Sequence, residues 1–242
     1  MDKRRKPVAA VLALAFGALA VVAGSIGTGT AAANGAKVPG PASFTTTIDN
    51  PLYPLPPGQM LIYRGLRDGS TQTDRVLVTN RTRVVNGVDT VVVRDIARHG
   101  SRLIEKTFDW FAQDDQGNVW YFGENTAEYD AKGHVISTEG SWEAGVDGAV
   151  AGIIMEANPQ PPDAYRQEYL AGHAEDTAWI VRRGFSVKVP YGTQHRALES
   201  LEFTQLEPRV VDEKVYAPGI GIVLERSLAG GLETAELVAV KG

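Results

Sequence analysis

The chain contains no cysteine. That excludes a disulfide framework, a thiolate nucleophile, a Cys-ligated zinc site and a lipidated cysteine at a cleavage site. Histidine is scarce. His99, His134, His173 and His195 lie far apart, and no spacing among them suggests a metal site. The P-loop, the dinucleotide-binding glycine pattern, the G-x-S-x-G elbow and H-E-x-x-H are all missing. No cofactor and no metal are therefore expected. No segment carries a sustained 3.6-residue apolar period with caps, which argues against a helical domain.

The only long apolar run is Val8 to Ala23, behind Lys3, Arg4, Arg5 and Lys6 and ahead of Ala31-Ala32-Ala33. This is the layout of a secretory signal peptide over residues 1–33, with Asn34 as the mature start. The run is shorter than the ~20 residues a spanning helix needs. No stable membrane span is expected after cleavage, and the protein is expected to be secreted or held in the cell envelope. The signal segment removes four basic residues and Asp2. The mature chain then keeps 20 basic against 28 acidic side chains, a net charge of −8. Such a balance repels nucleic acid and anionic lipid and favours a neutral or cationic partner.

Residues 34–50 are rich in Gly, Ala, Thr and Pro and read as a flexible leader; residues 51–242 read as one β domain. "IDNPLYPLPPG", Ile48 to Gly58, is too proline-dense for a central strand. Its Leu52, Tyr53 and Leu55 are placed to pack across the end of a sheet. From Met60 onward, turn signals recur between strand-like arms at Asn86-Gly87, His99-Gly100-Ser101, Asp115-Gln116-Gly117 and Ala131-Lys132-Gly133. The fold class is all-β: an antiparallel meander of about ten to twelve strands forming a curved sheet, barrel or sandwich. A two-residue loop at Asn86-Gly87 pairs Val85 with Val88. It turns Val78, Val84, Val91, Val93, Asn80 and Asp95 to one face, with Asn80 beside Asp95.

"FDWFAQDDQGNVWYFGENTAEYD", Phe108 to Asp130, gathers three Phe, two Trp and two Tyr among six acidic residues. A three-residue loop with Gly117 at positive φ pairs Gln113 with Val119. Phe108, Trp110, Ala112, Trp120 and Phe122 then share one face, which reads as core. Asp114 and Asp115 read as turn formers rather than calcium ligands. Glu105, Asp109, Gln113, Phe111 and Tyr121 share the other face. If that face lines a cavity, Asp109 and Tyr121 become the polar groups of a site.

"IDNPLYPLPPG", "DWFAQDDQGNVWYFGE", "GSWEAGVDGAVAGI", "YRQEY" and "YAPGIGIVLE" together resemble an uncharacterised family of secreted bacterial β-proteins of actinobacterial type. The resemblance covers nearly the whole mature chain and departs at Pro162-Asp163, where Gly-Asp is the pattern. It implies an envelope or secreted β-protein and carries no activity.

Two further constellations stand out. "RQEYLAGHAED" brings Arg166, Glu168, His173, Glu175 and Asp176 to a turn. Ser141 to Asp163 is an aperiodic, Gly- and Pro-rich stretch that reads as a lid over a β-structure. In that reading Trp142 and Met155 face a mainly apolar pocket, with Glu143 and Glu168 as the orienting charges. The leading expectation is a non-enzymatic carrier of a small, mainly apolar molecule. Two alternatives remain open: a structural envelope protein with no small-molecule site, and a secreted carboxylate-dependent hydrolase or lyase pairing Asp109 with Glu168 or Glu143.

Overall fold

The computed structural model describes residues 35–67 and 69–242. The signal segment and the mature start at Asn34 lie outside them. Apart from one 3-10 turn at Pro41–Ser43, the regular structure is all strand. The strands are β1 (Phe44–Thr45), β2 (Met60–Arg67), β3 (Ser70–Val85), β4 (Val88–His99), β5 (Arg102–Asp114), β6 (Val119–Tyr129), β7 (Val135–Ser137) and β8 (Trp142–Glu143). They continue as β9 (Val150–Met155), β10 (Ala164–Arg166), β11 (Glu168–Tyr169), β12 (Thr177–Val189), β13 (Gly192–Phe203), β14 (Val211–Ala217), β15 (Gly221–Ala229) and β16 (Thr234–Lys241). Among the described residues no helix is long and apolar enough to cross a membrane.

The sixteen strands form one antiparallel meander that is nearly closed into a barrel. Consecutive strands pair from β2 through β6, β6 pairs β9, and consecutive strands pair again from β12 through β16. The last strand returns to the first: β16 pairs β2, with Leu237 opposite Tyr63 and Lys241 opposite Met60. The remaining gap is bridged by one short stretch with two loyalties. β10 pairs β12, while β11, one residue further on, pairs β9. Gly152 on β9 makes this seam possible, because a Cβ there would lie 2.4 Å from the Gln167 carbonyl.

The Asn86-Gly87 and Asp114–Asn118 hairpins take the registers read from sequence. Val85 pairs Val88, and Gln113 pairs Val119 with Gly117 at φ 90°. The Asp114 carboxylate accepts from the Gln116 and Asn118 backbone N–H groups, the Asn118 amide and the Trp120 indole N–H, so it serves the turn itself. One detail differs. The β3–β4 ladder jumps between Val78 and Thr82, and this bulge leaves Asn80 and Val84 exposed while Asp95 stays buried. Asn80 is therefore no partner of Asp95.

The lid expected over Ser141–Asp163 contains a barrel strand. Val150 to Met155 form β9, almost wholly buried. A strand covered on both faces shows no alternation, and so its period is invisible in the sequence. Residues from the leader cover the outer face of the aromatic hairpin. Phe44 meets Trp120 and Phe122 edge-on at 6.0 and 5.2 Å, and β1 pairs β5.

The proline-rich lead-in plugs one end of the barrel. Ile48, Leu52, Tyr53 and Leu55 are all buried in the core. Gln113 Oε1 accepts from the Asp49 and Asn50 backbone N–H groups at 3.0 and 2.9 Å. The Asn50 amide donates to the Gly117 and Glu156 carbonyls. The Gly219 N–H donates to the Pro51 carbonyl at 2.7 Å, which ties the plug to the β14–β15 turn at the same end.

Candidate ligand site

Strand alternation decides what faces the barrel interior. On β5 the inward set is Glu105, Thr107, Asp109, Phe111 and Gln113, all buried. The face that the sequence left open between solvent and cavity is thus an interior face. Near the plug it is aromatic: Tyr53 packs on Phe111 at 5.6 Å, and Phe111 stacks on Tyr121 at 4.9 Å. Away from the plug it is dominated by carboxylates.

Glu124 joins this interior through a bulge. Phe111 pairs Tyr121, yet Asp109 pairs Glu124, so β6 gains one residue over β5 between them. Strict alternation would point Gly123 inward and Glu124 out; the extra residue reverses the parity. Gly123 holds φ 126°, and a Cβ there would sit 2.3 Å from the Trp142 carbonyl. The same glycine therefore turns Glu124 inward and lets β8 dock on β6, with Glu124 opposite Trp142. Gly123→Ala is expected to cost roughly 2–4 kcal/mol through backbone strain and the displaced β8. Urea melts check this, and an unaltered midpoint would mean that the bulge has no structural hold on Trp142.

Three groups stand out among the buried carboxylates, with Asp74 and Asp95 buried outside them. In the first, the Lys214 ammonium lies 2.7 Å from Glu202 and 3.7 Å from Glu225, while the Tyr216 hydroxyl and the Gln167 amide also donate to Glu202. In the second, Arg67 reaches Glu105 at 3.1 Å and Glu128 at 3.9 Å. The third is Asp109, Glu124 and Glu168. Here the Tyr121 hydroxyl donates to Asp109 at 3.0 Å. Neither oxygen of Glu124 and neither of Glu168 has a hydrogen-bond partner, and both residues are buried. The Trp142 indole N–H favours the ionised form of Glu168 but stands outside hydrogen-bond geometry. Among the described residues, no Lys, Arg or His forms an ion pair with any of these three.

Burial drives the electrostatics, because a desolvated carboxylate favours its neutral form. Desolvation raises Asp109 and Glu124 well above the ordinary range. Asp95 adds to the effect at Asp109; Asp109 and Glu168 add to it at Glu124. Glu168 is raised well above its ordinary value by desolvation, then by Asp176. Desolvation also lifts Asp74 to about 7, and Glu225 to about 8 despite Lys214. Asp95 on β4 acts on Glu225 on β15, a pair that only the interior brings together.

Of the residues expected in a site, Asp109, Tyr121, Trp142 and Glu168 gather around this third group. Tyr121 meets Trp142 edge-on at 5.3 Å. Met155, fully buried on β9 opposite Val119, lies toward the plugged end. Glu143 is not brought to the cluster. Its side chain is 29% exposed and bonds Arg83 at 2.7 Å, beside the stack of Arg83 on Trp110. The "RQEYLAGHAED" constellation divides: Glu168 is interior and Asp176 adds to its field, but His173 is exposed and Glu175 accepts from the Gly172 N–H. Among the described residues no three His, Asp or Glu side chains are arranged to hold a metal.

Sequence reasoning missed Glu124, Lys214, Glu202, Glu225, Asp74 and Arg67. Lys214 carried a usable signal, since it alternates with Asp212 and Tyr216 along "VDEKVYA". Glu124 carried only the glycine before it.

No family model matches the chain, and no curated protein matches it. Among solved structures, a candidate exported protein with a YMCC-like fold from Bacteroides fragilis is similar at TM-score 0.46 and 14% identity. The alignment covers 79% of this chain and 99% of that one. A candidate lipoprotein from Parabacteroides distasonis is similar at TM-score 0.43 and 14% identity, covering 78% of this chain and 97% of that one.

Proposed function

We propose that this protein is a non-enzymatic, extracytoplasmic β-barrel that binds a small molecule in its interior, on the side away from the plug. One observation carries the reading. An aromatic wall of Phe111, Tyr121 and Trp142 runs into a buried carboxylate group whose Glu124 and Glu168 oxygens have no hydrogen-bond partner. Unsatisfied buried polar atoms cost on the order of 1–3 kcal/mol each, and they are more common where a site is built than where a core is merely filled. Binding sites generally combine apolar walls with a few convergent polar groups. This lining favours an amphipathic ligand over the mainly apolar one expected from sequence. The secretory layout of residues 1–33 supports the location.

One observation favours the carboxylate-enzyme alternative: Glu168 and Asp109 both have raised proton affinity, as a general acid requires. Native mass spectrometry of protein secreted by its own host separates the readings. The carrier reading expects a co-purified small molecule, together with a ligand-dependent change in tryptophan fluorescence that is lost in Trp142→Phe. A clean apo mass, with fluorescence unmoved by lipids, sugars and amines, would leave a structural envelope protein. A mass that shifts to a processed product would favour the enzyme.

A further inference from the structure

We infer that the ligand class is a small organic cation, an amine whose ammonium sits among Asp109, Glu124 and Glu168 with its carbon skeleton against Trp142. This inference rests on the interior-binding reading and adds the chemistry of the ligand. The barrel itself supplies the precedent. Each of the other two carboxylate groups is neutralised by one inward-facing cation: Lys214 between Glu202 and Glu225, and Arg67 between Glu105 and Glu128. The third has three carboxylates and, among the described residues, no ion pair; Lys214 acts on Glu168 only beyond ion-pair distance.

The neighbouring groups narrow the choice. An anion would meet three buried carboxyl groups and is repelled. A divalent metal requires six or more converging oxygens for calcium, or near-octahedral ligation for magnesium. No such cluster exists among the described residues. An ammonium needs only two or three acceptors and gains from an adjacent aromatic face. Glu124 and Glu168 leave four acceptor oxygens without a hydrogen-bond partner, and Trp142 lies opposite Glu124 across the β6–β8 ladder. Toward the end away from the plug, burial relaxes. Glu128 is 20% exposed and Asp212 only partly buried, so this end is the less enclosed approach to the group.

The test uses the secreted protein at neutral pH and low salt, with 2-phenylethylamine, its neutral isostere 2-phenylethanol, its anionic relative phenylacetate, and 1,4-diaminobutane. Titration calorimetry and Trp142-dependent fluorescence read the binding. An amine is expected to bind at least tenfold more tightly than the alcohol, phenylacetate is expected not to bind, and affinity is expected to fall as salt rises. Glu124→Gln and Glu168→Gln should each weaken the amine at least tenfold. Both variants keep side-chain shape and remove a carboxyl group whose ionisation burial opposes, so their urea midpoints should hold or rise, which separates loss of binding from loss of fold. If the alcohol binds as well as the amine, or if native mass spectrometry finds a non-basic ligand, the cation inference falls and the interior-binding reading stands. If no probe binds and the native mass is apo, both fall. Full amine affinity in both glutamine variants would also overturn the assignment.

Discussion

Lys214→Met is expected to destabilise the protein by about 3–5 kcal/mol near neutral pH, the range for breaking a buried ion pair by removing one partner. The Lys214 side chain is 3% exposed, 2.7 Å from Glu202 and 3.7 Å from Glu225. Glu202 also gathers the Ser200 hydroxyl, the Tyr216 hydroxyl and the Gln167 amide. Losing the ammonium leaves a desolvated carboxylate with only neutral donors. The ammonium is held in its charged form above the usual lysine range by Glu202 and then Glu225, against desolvation. Methionine conserves most of the packing, so the measured loss reports charge rather than a cavity. Two companion measurements make the origin visible. Lys214→Met combined with Glu202→Gln and Glu225→Gln should recover most of the loss, because a neutral interior leaves no charge stranded. The single variant should also approach wild type as pH falls below about 4, where the carboxylates take up protons in both folded and unfolded chains. A loss below about 1 kcal/mol at pH 7.5 would show that Lys214 reaches solvent and that the interior is wetter than its burial implies.

The parts of this fold legible in the sequence are those decided within a dozen residues. Asn86-Gly87 set one hairpin and Asp115-Gln116-Gly117 another, and both registers follow from turn geometry. The composition of Ile48–Gly58 marked it as an end-packing segment because proline withholds ladder donors. The rest depends on contacts far apart in sequence. Nothing local in Leu237 or Tyr63 announces that β16 returns to β2. β9 hid as a loop because both of its faces are covered. The candidate site was half legible for the same reason. Asp109 and Tyr121 followed from simple alternation, whereas Glu124 is inward only because a one-residue bulge at Gly123 reverses the period. Trp142 was expected in a lid and Glu168 in the strand after it; the structure sets both near Tyr121, whereas Glu143 points outward to Arg83.

Stability is expected to fall as pH rises from about 4 to about 8, against the usual pattern of a maximum between about pH 5 and 8. In the unfolded chain, carboxyl groups release their protons near pH 4. In the folded barrel, desolvation holds Asp74 and Asp176 at about 7 and Glu225 at about 8, and raises Glu105, Asp109, Glu124 and Glu168 as well. Between those limits the native state keeps protons that the unfolded state has lost. Each such proton lowers unfolding free energy by about 1.4 kcal/mol per pH unit. The stabilisation is thus fully present below about pH 4 and is lost as pH climbs through the folded values. Lys214 does not alter the sign, because its raised proton affinity keeps it charged across the window. Asp130 works in the opposite direction, being lowered chiefly by the His134 backbone N–H, but it lies at the surface and acts weakly. Urea midpoints from pH 4.5 to 8 measure the slope. Glu225→Gln should remove about one proton's share of it, and Asp74→Asn a second. A saturating amine should flatten the slope further, since a bound ammonium takes the place of the protons on Glu124 and Glu168. A midpoint that holds or rises between pH 5 and 8 would mean that these carboxylates are ionised in the folded protein and that its interior compensates their charge without protons.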